Sequence, residues 1–206
     1  MLEAHNSHAV KVRFPVLTEA LIAGPLLSKS IRTPALKAFL VVIGSLLLAT
    51  SAQFKIPLYP VPVTGQTLVV LLIGMVYGPW LGGVTIAAYL LQGVIGLPVF
   101  AGGAFGIATL LGPTGGYLGG FLIAAIVMGV LAERGMGRGI MSTIIAMMIG
   151  NVVIYVAGAS WLASFVGAEK ALTAGVLPFL YGDVLKLAVA AGLMPVAWRL
   201  IKKLQK

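Results

Sequence analysis

An all-α integral membrane protein, with six transmembrane helices and both termini in the cytoplasm, is the fold this chain of 206 residues predicts. Three observations predict it. The sequence is 60% hydrophobic and 9% charged, against ~25% charged for a soluble domain. Its apolar residues fall into long runs punctuated by glycine, proline and short charged links. Its basic residues gather in alternate links, which is the pattern of loops retained in the cytoplasm. A net charge of +9 would suggest nucleic acid in a soluble protein, but here the basic residues flank spans, and neither an RNA-binding aromatic motif nor a continuous basic stripe accompanies them. The chain has no cysteine, so it offers no disulfide framework and no thiolate metal site.

Residues 1–35 are mixed and basic, and predict a cytoplasmic tail with a surface-lying helix around Val16 to Leu27. They lack the continuous apolar core of a cleavable signal peptide. His5 and His8 lie in this tail without other ligands near them, so no metal site is expected. Residues 36–206 form the membrane domain. Its first span runs from about Leu36 to Ala52 and carries Ser45 and Ala49 four apart. Small residues at that spacing suit close helix approach, either within the chain or against a partner subunit. Three prolines, Pro57, Pro60 and Pro62, then forbid a helix before Thr64, Gln66 and Thr67. Apolar non-helical chain at a membrane is tolerated only against protein or a cavity, so an ordered loop folded over something is expected.

The second and third spans, about Thr67 to Tyr77 and Leu81 to Leu97, are separated by Gly78-Pro79. Both are short, which implies tilt or a compact bundle. A glycine-rich link holding Phe100, Gly102, Gly103 and Gly106 leads to Pro113, which suits a first helical turn. It contains no phosphate-binding P-loop spacing. The fourth span is about Pro113 to Leu131 and the fifth about Ile140 to Trp161. In the fifth, Asn151 and Tyr155 share a face. The sixth runs from about Phe179 to Ile201. This arrangement leaves only Lys55 and Lys170 on the outer side, together with the proline loop, the glycine-rich link and the start of the sixth span.

The chemistry concentrates at Asp183 and Lys186, three apart on one helix face near the start of that last span. Each charge alone costs roughly 3 kcal/mol in hydrocarbon on insertion scales, so such a pair marks a solute site. The same residues also suit a plainer arrangement, with Asp183 capping a helix N-terminus and Lys186 snorkelling to the interface. No span holds a histidine or a second aspartate, so an intramembrane hydrolase is not expected. Repeats and multiple intramembrane ionisable groups, the marks of a secondary transporter, are also missing.

Four separated motifs now stand in order: Pro60-Val61-Pro62-Val63-Thr64-Gly65-Gln66-Thr67-Leu68, Gly96-Leu97-Pro98-Val99-Phe100, Gly112-Pro113-Thr114-Gly115-Gly116-Tyr117-Leu118 and Gly182-Asp183-Val184-Leu185-Lys186. Together they resemble BioY proteins, the biotin-specific S components of energy-coupling-factor transporters, over about residues 36–200. The resemblance implies a six-helix subunit in the plasma membrane of a prokaryote that captures biotin from outside. It implies that Asp183 and Lys186 help bind the vitamin and that the loop through Thr64 and Gln66 covers the pocket. Phe100 and Tyr117 would pack on the bicyclic ring, Lys186 or Asn151 would donate to the ureido oxygen, and Gly103 and Tyr155 would complete the site. No arginine stands in the glycine-rich link to hold the biotin carboxylate, which leaves Lys186 or backbone N–H groups at a helix start. The expected partners are a transmembrane coupling subunit, docked through Ser45 and Ala49, and two ATPases that alone would use ATP. No cofactor is expected on the chain itself. The alternatives are an S component for another vitamin and a stand-alone secondary transporter.

Overall fold

The computed structural model describes residues 13–23 and 34–204. Its helices are α1 (Leu17–Ala23), α2 (Pro34–Gln53), α3 (Gln66–Val94), α4 (Ile107–Leu111), α5 (Gly115–Glu133), α6 (Ile140–Val166), α7 (Ala168–Gly175) and α8 (Leu177–Leu204). Two short strands, β1 (Lys55–Ile56) and β2 (Val63–Thr64), pair antiparallel between α2 and α3, with Lys55 opposite Thr64. Five helical segments are long and apolar enough to cross a membrane, counting α3 once and α7 with α8. Helix is the only local solution for such runs in hydrocarbon, because it satisfies every backbone N–H and C=O within the segment.

The α3 segment is not one rod. Its backbone leaves helical geometry at Gly78, with φ at +80° and ψ at 177°. Glycine adopts this conformation at no steric cost, and Pro79 removes the next N–H that a continuing helix would use. The chain doubles back there. A Cβ added to Gly82 would lie 3.2 Å from the Cα of Gly74, and the Gln66 side chain donates to the Tyr89 hydroxyl at 2.7 Å. In a straight helix Gln66 and Tyr89 would stand about 35 Å apart. The expected break at Gly78-Pro79 is therefore a tight turn between two antiparallel limbs. α5 packs into this hairpin where glycines leave no side chain. A Cβ on Gly74 would meet the Ala125 backbone, and one on Gly129 would overlap Gly78 and Pro79. Small residues permit such backbone approach, which is where dispersion contacts between membrane helices come from.

Ser45 does not face outward. It is fully buried, donates to the Val42 carbonyl and accepts from Gln92 Nε2 at 3.0 Å. Ala49 packs against the core beside it. Ser45 is thus spent on packing against α3 and is closed to a partner, which corrects the docking role expected of it, while Ala49 is only partly buried. The outward face of α2 carries Phe39, Val42, Leu46 and Leu47 instead.

The described part of the N-terminal tail is also more than a surface-lying helix. Residues 17–23 do form a helix, but Val16, Leu17, Thr18 and Ala20 are buried, and the Thr18 hydroxyl donates to the Val76 carbonyl at 3.1 Å. Residues 24–27 of the expected helix, and His5 and His8, lie outside the described residues. Two arginines clamp this segment. Arg13 bridges Glu19 at 2.9 Å and Glu133 at 2.7 Å, and its bond to Glu133 raises its pKa. Arg138 donates to the Pro15 carbonyl at 3.0 Å and lies over the rings of Phe14 and Trp198, at 4.8 and 4.4 Å. Burial lowers its pKa, without threatening the charge of a guanidinium. Arg138→Lys keeps a charge but loses the planar stack, and should cost about 1–2 kcal/mol. Arg13→Ala, an exposed pair, should cost about 1 kcal/mol or less. Thermal unfolding of the two detergent-purified variants measures the difference.

Candidate functional site

The site begins with the last span. α8 starts at Leu177, six residues before Asp183, so Asp183 lies inside the helix and caps nothing. Its side chain is 6% exposed and that of Lys186 is 12% exposed, with 3.3 Å between Oδ1 and Nζ. Lys186 does not snorkel, because its ammonium turns inward and donates to the Thr67 hydroxyl at 2.7 Å. The Tyr155 hydroxyl donates to the other oxygen of Asp183. A buried pair survives only when its remaining donors and acceptors are matched, and Thr67 from α3 and Tyr155 from α6 supply that matching. Three helices therefore meet at one polar knot.

A cavity of about 160 Å³ opens against this knot, against ~30 Å³ for one water in the liquid. Thr67 and Tyr155 stand in its wall, with Asp183 and Lys186 behind them. Val61, Pro62, Thr64 and Gln66 close one side, so the proline segment does fold over a cavity as its composition predicts. Phe100, Ala101 and Ala104 come from the glycine-rich link, and Tyr117, Leu118 and Phe121 from α5. Ile154 of α6 and Phe179 of α8 complete the apolar part.

Local bonds lock this wall. Thr64 donates to Gln66 Oε1 at 3.0 Å, Gln66 donates to Tyr89, and Tyr89 donates to the Val99 carbonyl at 3.0 Å. That relay ties the hairpin loop to the link that carries Phe100. The Phe100 ring is 1% exposed and meets Tyr89 edge-on at 5.5 Å. Tyr117 donates to the Gly175 carbonyl at 2.7 Å and stacks on Phe179 at 6.0 Å. Its hydroxyl is thereby occupied, and its ring is what it can offer a solute.

Of the residues expected from sequence, Thr64, Gln66, Phe100, Tyr117 and Tyr155 line the cavity, and Asp183 and Lys186 back it. Gly103 does not line it. Gly103 sits in a 3-10 turn with φ at +77° and donates to the Phe100 carbonyl, so its role is to turn the link. Asn151 is buried one helical turn from Tyr155 and is likewise not part of the cavity wall. Thr67 and Phe179 were missed as site residues. Phe179 precedes Asp183 by four residues and so shares its helix face, a spacing that could have identified it. Gly65 abuts Ser51, whose carbonyl would lie 3.2 Å from an added Cβ, which explains a glycine at this point of the loop.

Comparison with known proteins agrees with this architecture. A sequence model described as the BioY family matches residues 26–203. The chain belongs to the BioY family. Helix α1, Leu17–Ala23, precedes the residues that the family model matches. The probable biotin transporter BioY of Pyrococcus horikoshii is 45% identical over 144 residues, covering 70% of this chain and 85% of its own. The biotin transporter BioY of Thermotoga maritima is 40% identical over 146 residues, covering 70% and 85%. The fold also matches the crystal structure of an S component for biotin from an ECF-type ABC transporter, with a TM-score of 0.73 and 25% identity over 85% of this chain and 95% of that one.

Proposed function

We propose that the chain takes up biotin, acting as the solute-capturing S component of an energy-coupling-factor transporter in the plasma membrane of a prokaryote. The observation that carries this reading is the buried Asp183–Lys186 pair, bonded through Thr67 and Tyr155 to the wall of a covered cavity. The ureido head of biotin has two N–H donors and one carbonyl acceptor. A carboxylate and an ammonium held in place match those groups, and such a site rejects analogues that lack them. Phe100, Tyr117 and Phe179 offer ring faces to the apolar thioether ring. BioY-family membership and the biotin-transporter names of its relatives support the choice of solute.

The doubled-back α3 is what favours six crossings over five: its two antiparallel limbs, on either side of Gly78, are short for a full bilayer and would cross only tilted or in a locally thin, compact bundle. An even count puts both termini on one side, and the basic links favour the cytoplasmic side. The cavity would then open outward. ATP hydrolysis falls to partner ATPases, since the chain carries no nucleotide-binding motif. The coupling subunit would dock on the outward face of α2, at Phe39, Val42, Leu46 and Leu47. A transporter family of this kind is not an enzyme class, and no catalytic role is assigned to any residue.

Isothermal titration of the detergent-purified chain should show saturable biotin binding, with competition by desthiobiotin, which keeps the ureido head. Binding of thiamine or riboflavin in place of biotin would reassign the solute. Uptake into vesicles should require ATP and the coupling subunits. Accumulation driven by an ion gradient alone would instead favour a secondary transporter.

A further inference from the structure

The walls of the cavity carry no charged side chain. A solute that ends in a carboxylate would therefore enter a neutral, largely apolar chamber, and it needs a cation where its tail emerges. Lys186 donates to Asp183 and Thr67, and its remaining N–H is assigned above to the ureido head, so it is not that cation. Lys170 lies on α7 beside Glu169, around a separate hollow.

Lys55 is placed to serve. It stands directly across from Thr64 in the β1–β2 pair. Directly opposed residues of an antiparallel pair project to the same face, and the Thr64 side is the cavity side. The lysine stem then runs across the glycine-rich link. A Cβ added to Gly102 would overlap the Lys55 ammonium and lie 2.9 Å from its Cε. Gly102, with φ at +69°, is therefore a saddle that a side chain would fill. Its neighbours Ala101 and Ala104 both line the cavity. The Lys55 ammonium thus rests at the rim, exposed, with no carboxylate or hydrogen-bond acceptor among the described residues.

Resting on the biotin reading above, we infer that Lys55 receives the carboxylate tail of the solute at the rim of the cavity. The site then has a charge for each polar end of the solute, Lys55 for the tail and the Asp183–Lys186 pair for the head. Lys55 also belongs to the hairpin that covers the cavity, so an ion pair at its ammonium joins the solute tail to that cover. A charge-assisted hydrogen bond at this partly hydrated position is stronger than a neutral one.

The test compares biotin with biotinamide, whose tail is neutral, on the full-length purified chain. The wild type should prefer biotin by about tenfold, the scale of one charge-assisted contact. In Lys55→Gln that ratio should fall to about one, and in Lys55→Arg it should persist. An undiminished preference for biotin in Lys55→Gln, in a protein that still binds biotin, would overturn the assignment of Lys55 alone. A wild type that binds neither compound would overturn the biotin reading, and this inference with it.

Discussion

Lys186→Met is expected to weaken biotin binding by roughly a hundredfold or more while the protein still inserts. Two losses combine. The ammonium that the ureido oxygen would meet is gone, and Asp183 is left buried with the Tyr155 hydroxyl but no countercharge. Removing one partner of a buried pair costs about 3–5 kcal/mol, most of it the stranded charge. Asp183→Asn should weaken binding to a similar degree, because an amide donates where a carboxylate accepts. The double variant Asp183→Asn with Lys186→Met separates the effects. It should recover much of the thermal stability lost in Lys186→Met, since no charge is stranded, and recover none of the affinity. Titration calorimetry and thermal unfolding of the three variants read the two quantities independently. Wild-type affinity in both single variants would remove the central role of the pair.

Gly93→Val is expected to lower the unfolding midpoint by about 3–10 °C, and to weaken biotin binding with it. Gly93 faces the Phe100 ring with no side chain of its own, and a Cβ there would overlap the ring. Phe100 cannot retreat cheaply. It packs on Tyr89, whose hydroxyl holds the Val99 carbonyl and receives Gln66. Displacing the ring therefore disturbs the link and, about 30 residues away in sequence, the proline loop as well. Combining Gly93→Val with Phe100→Leu should return part of the lost stability, because the smaller side chain makes room. Strict additivity of the two substitutions would show that the ring contact is not the cause.

The spans were legible because length and apolar content are enough to mark a helix in hydrocarbon. The break at Gly78-Pro79 was legible for a local reason as well, since both residues act on their own backbone. Which way each helix faces was not. A helix that is apolar all round has no polar stripe to orient it, so Ser45 and Ala49 read equally as inward or outward, and only the packing of α3 decides that Ser45 is buried and Ala49 half-buried. The site shows the same division. Asp183 and Lys186 stand out by charge and spacing alone, whereas their bonds to Tyr155 and Thr67 span 28 and 119 residues. No local rule predicts those. Thr67 lay inside a recognised motif without a role, because its part is to hold Lys186. The buried part of the tail was missed for a compositional reason. Polar, charged and proline residues interrupt the apolar ones throughout residues 1–35, so no run of span length marks Val16, Leu17 and Ala20 as buried.

The Asp183–Lys186 couple also has an electrical consequence. The two formal charges cancel, so a voltage across the bilayer, worth ~2.3 kcal/mol per elementary charge per 100 mV, finds no net charge there on which to pull. A carrier built this way can hold a strongly polar centre within the bilayer without that centre presenting a net charge to the resting potential while vacant.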